Sequence, residues 1–190
     1  MCYEAGFSGF SAQRWLTRHG IAADVATTDK EKRQKIDKID ARKLCEHLLT
    51  RKMKGIYVPA LHWEHGSSFV RARARIVSNQ TRCKNRIWQL LHFSGLALPK
   101  DYEAGQYRSR SFVKELMATD CGREELKIPL GLYFKDFVQT WSLLVEATRA
   151  IRQLCKQREY QKDVALLRSI PGIGEINAAV ILFELQDVVS

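Results

Sequence analysis

From residue 67 to residue 92 the chain runs without a single glycine or proline. Phe69, Ile76, Cys83 and Leu90 recur there every seven residues, with Ala72 and Ile87 between them. That spacing predicts one long amphipathic helix with a coiled-coil-like seam. A seam so narrow cannot be buried alone, so the helix demands a partner of similar length. Residues 133 to 158 supply one, with Phe134, Phe137, Trp141, Leu144, Val145, Thr148, Ile151 and Leu154 at helical spacing. The simplest arrangement is an antiparallel pair. The connection, residues 94 to 131, contains Pro99, Gly105, Gly122 and Pro129 and reads as loop and short helices.

The N-terminal part has a different rhythm. MCYE reads as the end of a strand and AGFSG as a turn. Residues 11 to 19 then read as a short helix, with Trp15 and Leu16 on its apolar side and Gly20 closing it. IAADVA is a second strand, residues 37 to 53 a second helix ended by Gly55, and IYVP a third strand stopped by Pro59. This β-α-β-α-β order is that of an α/β layer, here too small to cover both faces of a parallel sheet. The chain is therefore expected to start inside a larger domain and to stop in mid-pattern at ILFELQDVVS. The expected fold is α/β plus mostly α, with units at 1–62, 63–160 and 161–190.

The formal net charge is +10, which favours a polyanionic partner such as nucleic acid. Hydrophobic residues make up 45% of the chain, enough for a core. No apolar run approaches the ~20 residues that span a bilayer, and the N-terminus, with Glu4 and no basic segment, is not a secretory signal. Five widely spaced cysteines suit reduced thiols in a cytoplasm better than disulfides or zinc.

Three constellations carry possible chemistry. Asp37, Asp40, Ala41, Leu44 and Leu48 share one helix face, so two carboxylates open an apolar stripe. A divalent metal, Mg²⁺ or Mn²⁺, would reconcile them; so would an N-cap at Asp37 and a first-turn acid at Asp40. Glu4, at a strand end before a Gly turn, is a third acid where α/β sheets place their sites. Second, Arg71, Arg73, Arg75, Arg82, Lys84 and Arg86 crowd the long helix, and residues 67–92 hold no acid. One sign of charge suggests phosphate contacts; a merely solvated face is the alternative. Third, SIPGIGEINAAVIL, residues 169–182, reads as a helix-hairpin-helix around Pro171, Gly172, Ile173 and Gly174, or as a plain tight turn. Trp15, Trp88 and Trp141 read as core or seam residues.

Taken in order, YEAGFSG, KIDKIDARKL, GIYVP, QTRCKNRI and SIPGIGEINAAVIL resemble the DEDD transposases of the IS-one-ten family of insertion sequences, relatives of the Piv-type DNA invertases. The resemblance covers nearly the whole chain. It implies a RuvC-type, RNase-H-like domain whose metal tetrad includes Glu4, Asp37 and Asp40 as catalytic residues. It implies a coiled coil and then a C-terminal domain that opens with the helix-hairpin-helix. The implied partners are DNA and a structured guide RNA, acting in an oligomer in the bacterial cytoplasm, with no membrane. Ile36 departs from the family's usual Thr. The tetrad's first Asp has no counterpart here, and the family's serine nucleophile is expected beyond Ser190. By this reading the 190 residues do not exchange strands alone. Two rival readings stay open: a nonenzymatic nucleic-acid-binding module, and a dimerisation element.

Overall fold

The computed structural model describes residues 1–4, 6, 8–26, 37–50, 55–96, 118 and 124–185, without the side chains of 37–40. Among the described residues there are two strands and six helices, in two compact units, Met1–Ala60 and Leu61–Ser190.

In the first unit, β1 (Cys2–Glu4) pairs in parallel with β2 (Asp24–Ala26), Tyr3 opposite Val25 and Glu4 opposite Ala26. Parallel neighbours need a crossover, and α1 (Ser11–Arg18) provides it. Tyr3 fixes the turn into α1: its hydroxyl donates to Gly9 O at 2.9 Å and accepts from Gln13 N at 3.1 Å. Gly20 closes the helix as the sequence predicts, with Ile21 N donating to Leu16 O and Gly20 N to Thr17 O, both at 3.0 Å. Val25 and Ala26 are buried. Trp15, expected in a core, is instead 58% exposed and lies against His19, ring centres 4.2 Å apart. The expected third strand is reduced to one rung, Ile56 N to Val25 O at 2.8 Å. α2 (Asp37–Leu49) packs on β1, where Cys2 Sγ meets Leu44 O at 3.9 Å.

The second unit is built on α3 (Leu61–Phe93) and α4 (Glu124–Cys155), packed along each other. Leu91 shares a cluster with Leu130 and Phe134, Cys83 Sγ reaches Asp136, Arg73 reaches Thr148, and Val70 shares a cluster with Ile151. Rising numbers on one helix meet falling numbers on the other, so the pair is antiparallel, as the seam predicts. α4 begins earlier than expected and runs through Pro129. Pro129 is the sixth residue of the helix, past the first turn, so it forfeits one bond to the Glu125 carbonyl and crowds that oxygen with its ring. Leu126 and Leu130 repay that by packing on the Leu91 end.

Two apolar clusters hold the pair. One joins Cys83, Ile87 and Leu91 to Leu130, Phe134 and Phe137. The other joins Val70, Ile151 and Cys155 to Tyr160, Val164, Ala178, Ala179 and Phe183. The last four belong to α5 (Gln161–Arg168) and α6 (Glu175–Leu185), so these short helices are part of the same core. Gly66 lets them in: a Cβ there would stand 2.1 Å from Phe183 Cδ1. Ser67 Oγ donates to the main-chain oxygen of Phe183 at the same point.

Candidate functional site

Each helical residue turns the chain by about 100°, which sorts the six basic residues of α3 into two groups. Arg71, Arg75, Arg82 and Arg86 fall within an arc of about 60°, opposite the seam, and all four are exposed. Arg73 and Lys84 fall on the seam side and are half-buried. Arg73 Nε donates to Thr148 Oγ1 at 3.0 Å, and Lys84 Nζ lies 5.9 Å from the centre of the Phe137 ring. These two serve the packing of the pair. The expectation of one uniform cationic face is corrected accordingly: four of the six face outward.

The outward four are not all equal. Arg71 forks onto Glu184, Nε to Oε1 at 2.7 Å and Nη2 to Oε2 at 2.6 Å. That fork raises the Arg71 guanidinium and lowers the Glu184 carboxyl from their usual ranges, against the opposing effect of burial. Arg86 Nη1 is 3.8 Å from Asp136 Oδ2, which also accepts from Cys83 Sγ at 3.0 Å. Arg82 donates to the amide oxygen of Asn79 at 3.3 Å. Arg75 pairs with no acid among the described residues. Glu184 and Asp136 escaped sequence reading because both lie on other helices, Glu184 a full 113 residues from its partner.

Residues 169–174 form the turn between α5 and α6. Gly172 has φ +89°, a conformation that side chains resist, and a Cβ at Gly172 or Gly174 would meet nothing within 4 Å. Pro171, Gly172 and Gly174 are exposed, whereas Ile173 packs on the Val70–Phe183 cluster and anchors the turn. The Gly174 carbonyl accepts the first bond of α6 from Ala178 N at 2.9 Å, so the next amides point out of the helix end without an intrahelical acceptor. Glu175 stands in that first turn, and its Oε2 lies 3.2 Å from Arg152 Nε.

Of the three predicted metal ligands, Glu4 is half-buried at the C-terminal end of β1. Asp37 and Asp40 lie in the first turn of α2, and their side chains fall outside the described residues. No group of three potential metal ligands is assembled among the residues that are described. Ala41 is exposed and Leu44 half-buried, and the Leu44 main-chain oxygen lies 3.9 Å from Cys2 Sγ on β1. No helix of the described residues is long and apolar enough to cross a membrane.

No family model matches the chain. Among curated proteins it is similar to the transposase for insertion sequence element IS1533 of Leptospira borgpetersenii, with 24% identity over 195 residues. The match takes in 98% of this chain and 55% of that protein, so the chain spans about half the length of its curated relative.

Proposed function

We propose that this chain is a transposase of the insertion-sequence type, acting on DNA through a metal-holding α/β layer and a basic helical unit. The observation that carries the reading is the similarity to an insertion-sequence transposase along 98% of the chain. The unit Leu61–Ser190 supports it, with a row of outward arginines and an exposed PGIG turn ahead of α6. A turn of that kind at a helix start is the phosphate-binding end of a helix-hairpin-helix, where free amides and the helix dipole favour an anion.

Backbone geometry supports the acidic site. Cys2 and Glu4 lie on the same face of β1, because strand residues alternate, and α2 covers Cys2 at Leu44. Asp40 and Asp37 lie one and two turns earlier on α2. A helix that follows a parallel strand starts from that strand's C-terminal end, and Glu4 pairs with Ala26 at that end of the sheet. Glu4, Asp37 and Asp40 would hold Mg²⁺ or Mn²⁺ there. The metal would stabilise the attacking and leaving oxygens of a phosphodiester. Recombination by the longer protein, a structured RNA partner and assembly into oligomers belong to the same proposal.

The test is Mn²⁺ binding to the whole chain, followed by calorimetry and electron paramagnetic resonance. The expected result is a site lost on Glu4→Gln, and lost equally on Asp37→Asn with Asp40→Asn. Undiminished Mn²⁺ binding in those variants would reject the acidic site and leave a nucleic-acid-binding module without catalysis.

A further inference from the structure

The Arg71–Glu184 fork is the arrangement a guanidinium makes with a carboxylate or, equally, with a phosphate. Its two side chains are 61% and 32% exposed, so the fork is open to an anion from solution. It stands at one end of the outward row. From Arg71 to Arg86 that row spans about 22 Å at 1.5 Å per residue. Between and beside the arginines, the outward positions up to residue 89 are Ser78, Asn79, Asn85 and Gln89. All four carry polar side-chain groups able to hydrogen-bond; none is acidic or aromatic. A single ring, exposed Phe93, lies on this face, one turn past Gln89. Sites for single strands interleave cations with stacking rings. A straight row of guanidiniums and amides suits the sugar-phosphate backbone of a duplex.

We propose that the outward face of α3 takes backbone phosphates of a nucleic-acid duplex, and that Glu184 is an internal competitor for the phosphate at Arg71. This rests on the nucleic-acid-binding reading above. In the unbound chain the Glu184 carboxylate holds the phosphate's place. When a duplex docks, a phosphate replaces it, and one ionic tie between α3 and α6 is exchanged. The apolar seat of α6 is untouched, because Phe183 stays against Gly66 and Ser67 keeps its bond to the Phe183 oxygen. Glu184 therefore sets duplex affinity below what four unencumbered arginines would give. Asp136 restrains Arg86 more loosely, at 3.8 Å.

The experiment measures binding of the whole chain to a DNA duplex, an RNA duplex and a single strand by fluorescence anisotropy, between 50 and 200 mM salt. Glu184→Gln is compared with Glu146→Gln, which removes the same charge from an exposed position of α4. Glu184→Gln is expected to bind duplex several-fold more tightly, with a salt slope steeper by about one phosphate contact. Glu146→Gln is expected to leave the slope unchanged. In the parent chain, Arg75→Gln should weaken binding more than Arg71→Gln, since phosphate at Arg71 must first displace a carboxylate. The two duplexes show whether the backbone is that of DNA or RNA. Equal effects of the two glutamate variants, Arg71→Gln as costly as Arg75→Gln, or tighter binding to the single strand would each overturn the proposal. A parent chain that binds no duplex would overturn the nucleic-acid reading with it.

Discussion

Gly66→Ala is the sharpest single perturbation of the second unit, because two effects of opposite sign meet there. In a helix interior alanine is favoured over glycine by about 1 kcal/mol. Against that, the new Cβ would lie 2.1, 2.4 and 2.8 Å from Cδ1, Cε1 and Cγ of Phe183. Ordinary carbon contacts lie at about 3.5–4.0 Å, so the ring would have to retreat by more than about 1 Å. It has nowhere to go: Phe183 is 0% exposed, with Tyr160 and Trp63 centred 5.1 and 5.9 Å away. Overpacking costs about 1–3 kcal/mol, and three intruded ring atoms place this case at the upper end. The net expectation is a loss of about 2 kcal/mol, or a fall of about 6–8 °C in the melting temperature of a unit this size. The assay is thermal unfolding followed by circular dichroism, with Phe183→Ala and the double variant completing a cycle. Phe183→Ala alone should cost about 3–5 kcal/mol. The double variant should lose less than the sum by over about 1 kcal/mol, because the methyl then enters vacated space. A Gly66→Ala chain that melts at or above the parent temperature, or a strictly additive cycle, would refute the packing argument.

Other outcomes follow from groups described above. Gln80 is buried with no partner for its Nε2 among the described residues, so Gln80→Leu should stabilise the helix pair by about 1 kcal/mol in urea unfolding; destabilisation would show that the amide has a partner. Cys83 and Cys155 are each 3% exposed, and burial above all pushes both thiols up, so iodoacetamide at pH 8 should label exposed Cys45 well before either. Equal rates before denaturation would contradict that. Glu184 titrates below its ordinary value of 4.5, chiefly through the Arg71 hydrogen bond, so its contribution is present above that pH and lost as the pH falls through the folded value. The pair is solvent-facing and worth at most about 1 kcal/mol; the small gap between parent and Glu184→Gln in urea midpoint at pH 7 should shrink as the pH is lowered below the ordinary carboxylate range.

Helix existence was legible in the sequence because seven-residue spacing leaves few alternatives to a paired helix. Its phase was not. The predicted seam runs through Phe69, Ala72, Ile76, Cys83, Ile87 and Leu90; Cys83 and Ile87 are buried, but the rest of the buried line is Gly66, Val70, Gln80 and Leu91, and Ala72 is exposed. Spacing alone cannot weigh the docking of α6, which buries Gly66, Ser67 and Val70. Nor can it foresee that Pro129 is carried inside α4 by flanking leucines. In the first unit the strand, turn and helix around Glu4 were readable from a short apolar run, glycines and a closing Gly20. The IYVP segment was not, since β propensity does not say whether a neighbour offers a full edge, and here it meets Val25 at one bond. The arginine row was readable by composition, but its carboxylate partners were not, because helices distant along the chain supply them.

The division of the helix pair into two apolar knots has a mechanical corollary. Between them lie buried Gln80 and Thr140, the Arg73–Thr148 bond and only half-buried aliphatics, Ile76 and Leu144. Bending a rod at such a waist trades one polar contact for water and prises apart neither knot. The waist carries Arg75 and Arg82 on its outer side, so under the duplex proposal a bend there would let the charged row follow the curve of the bound backbone.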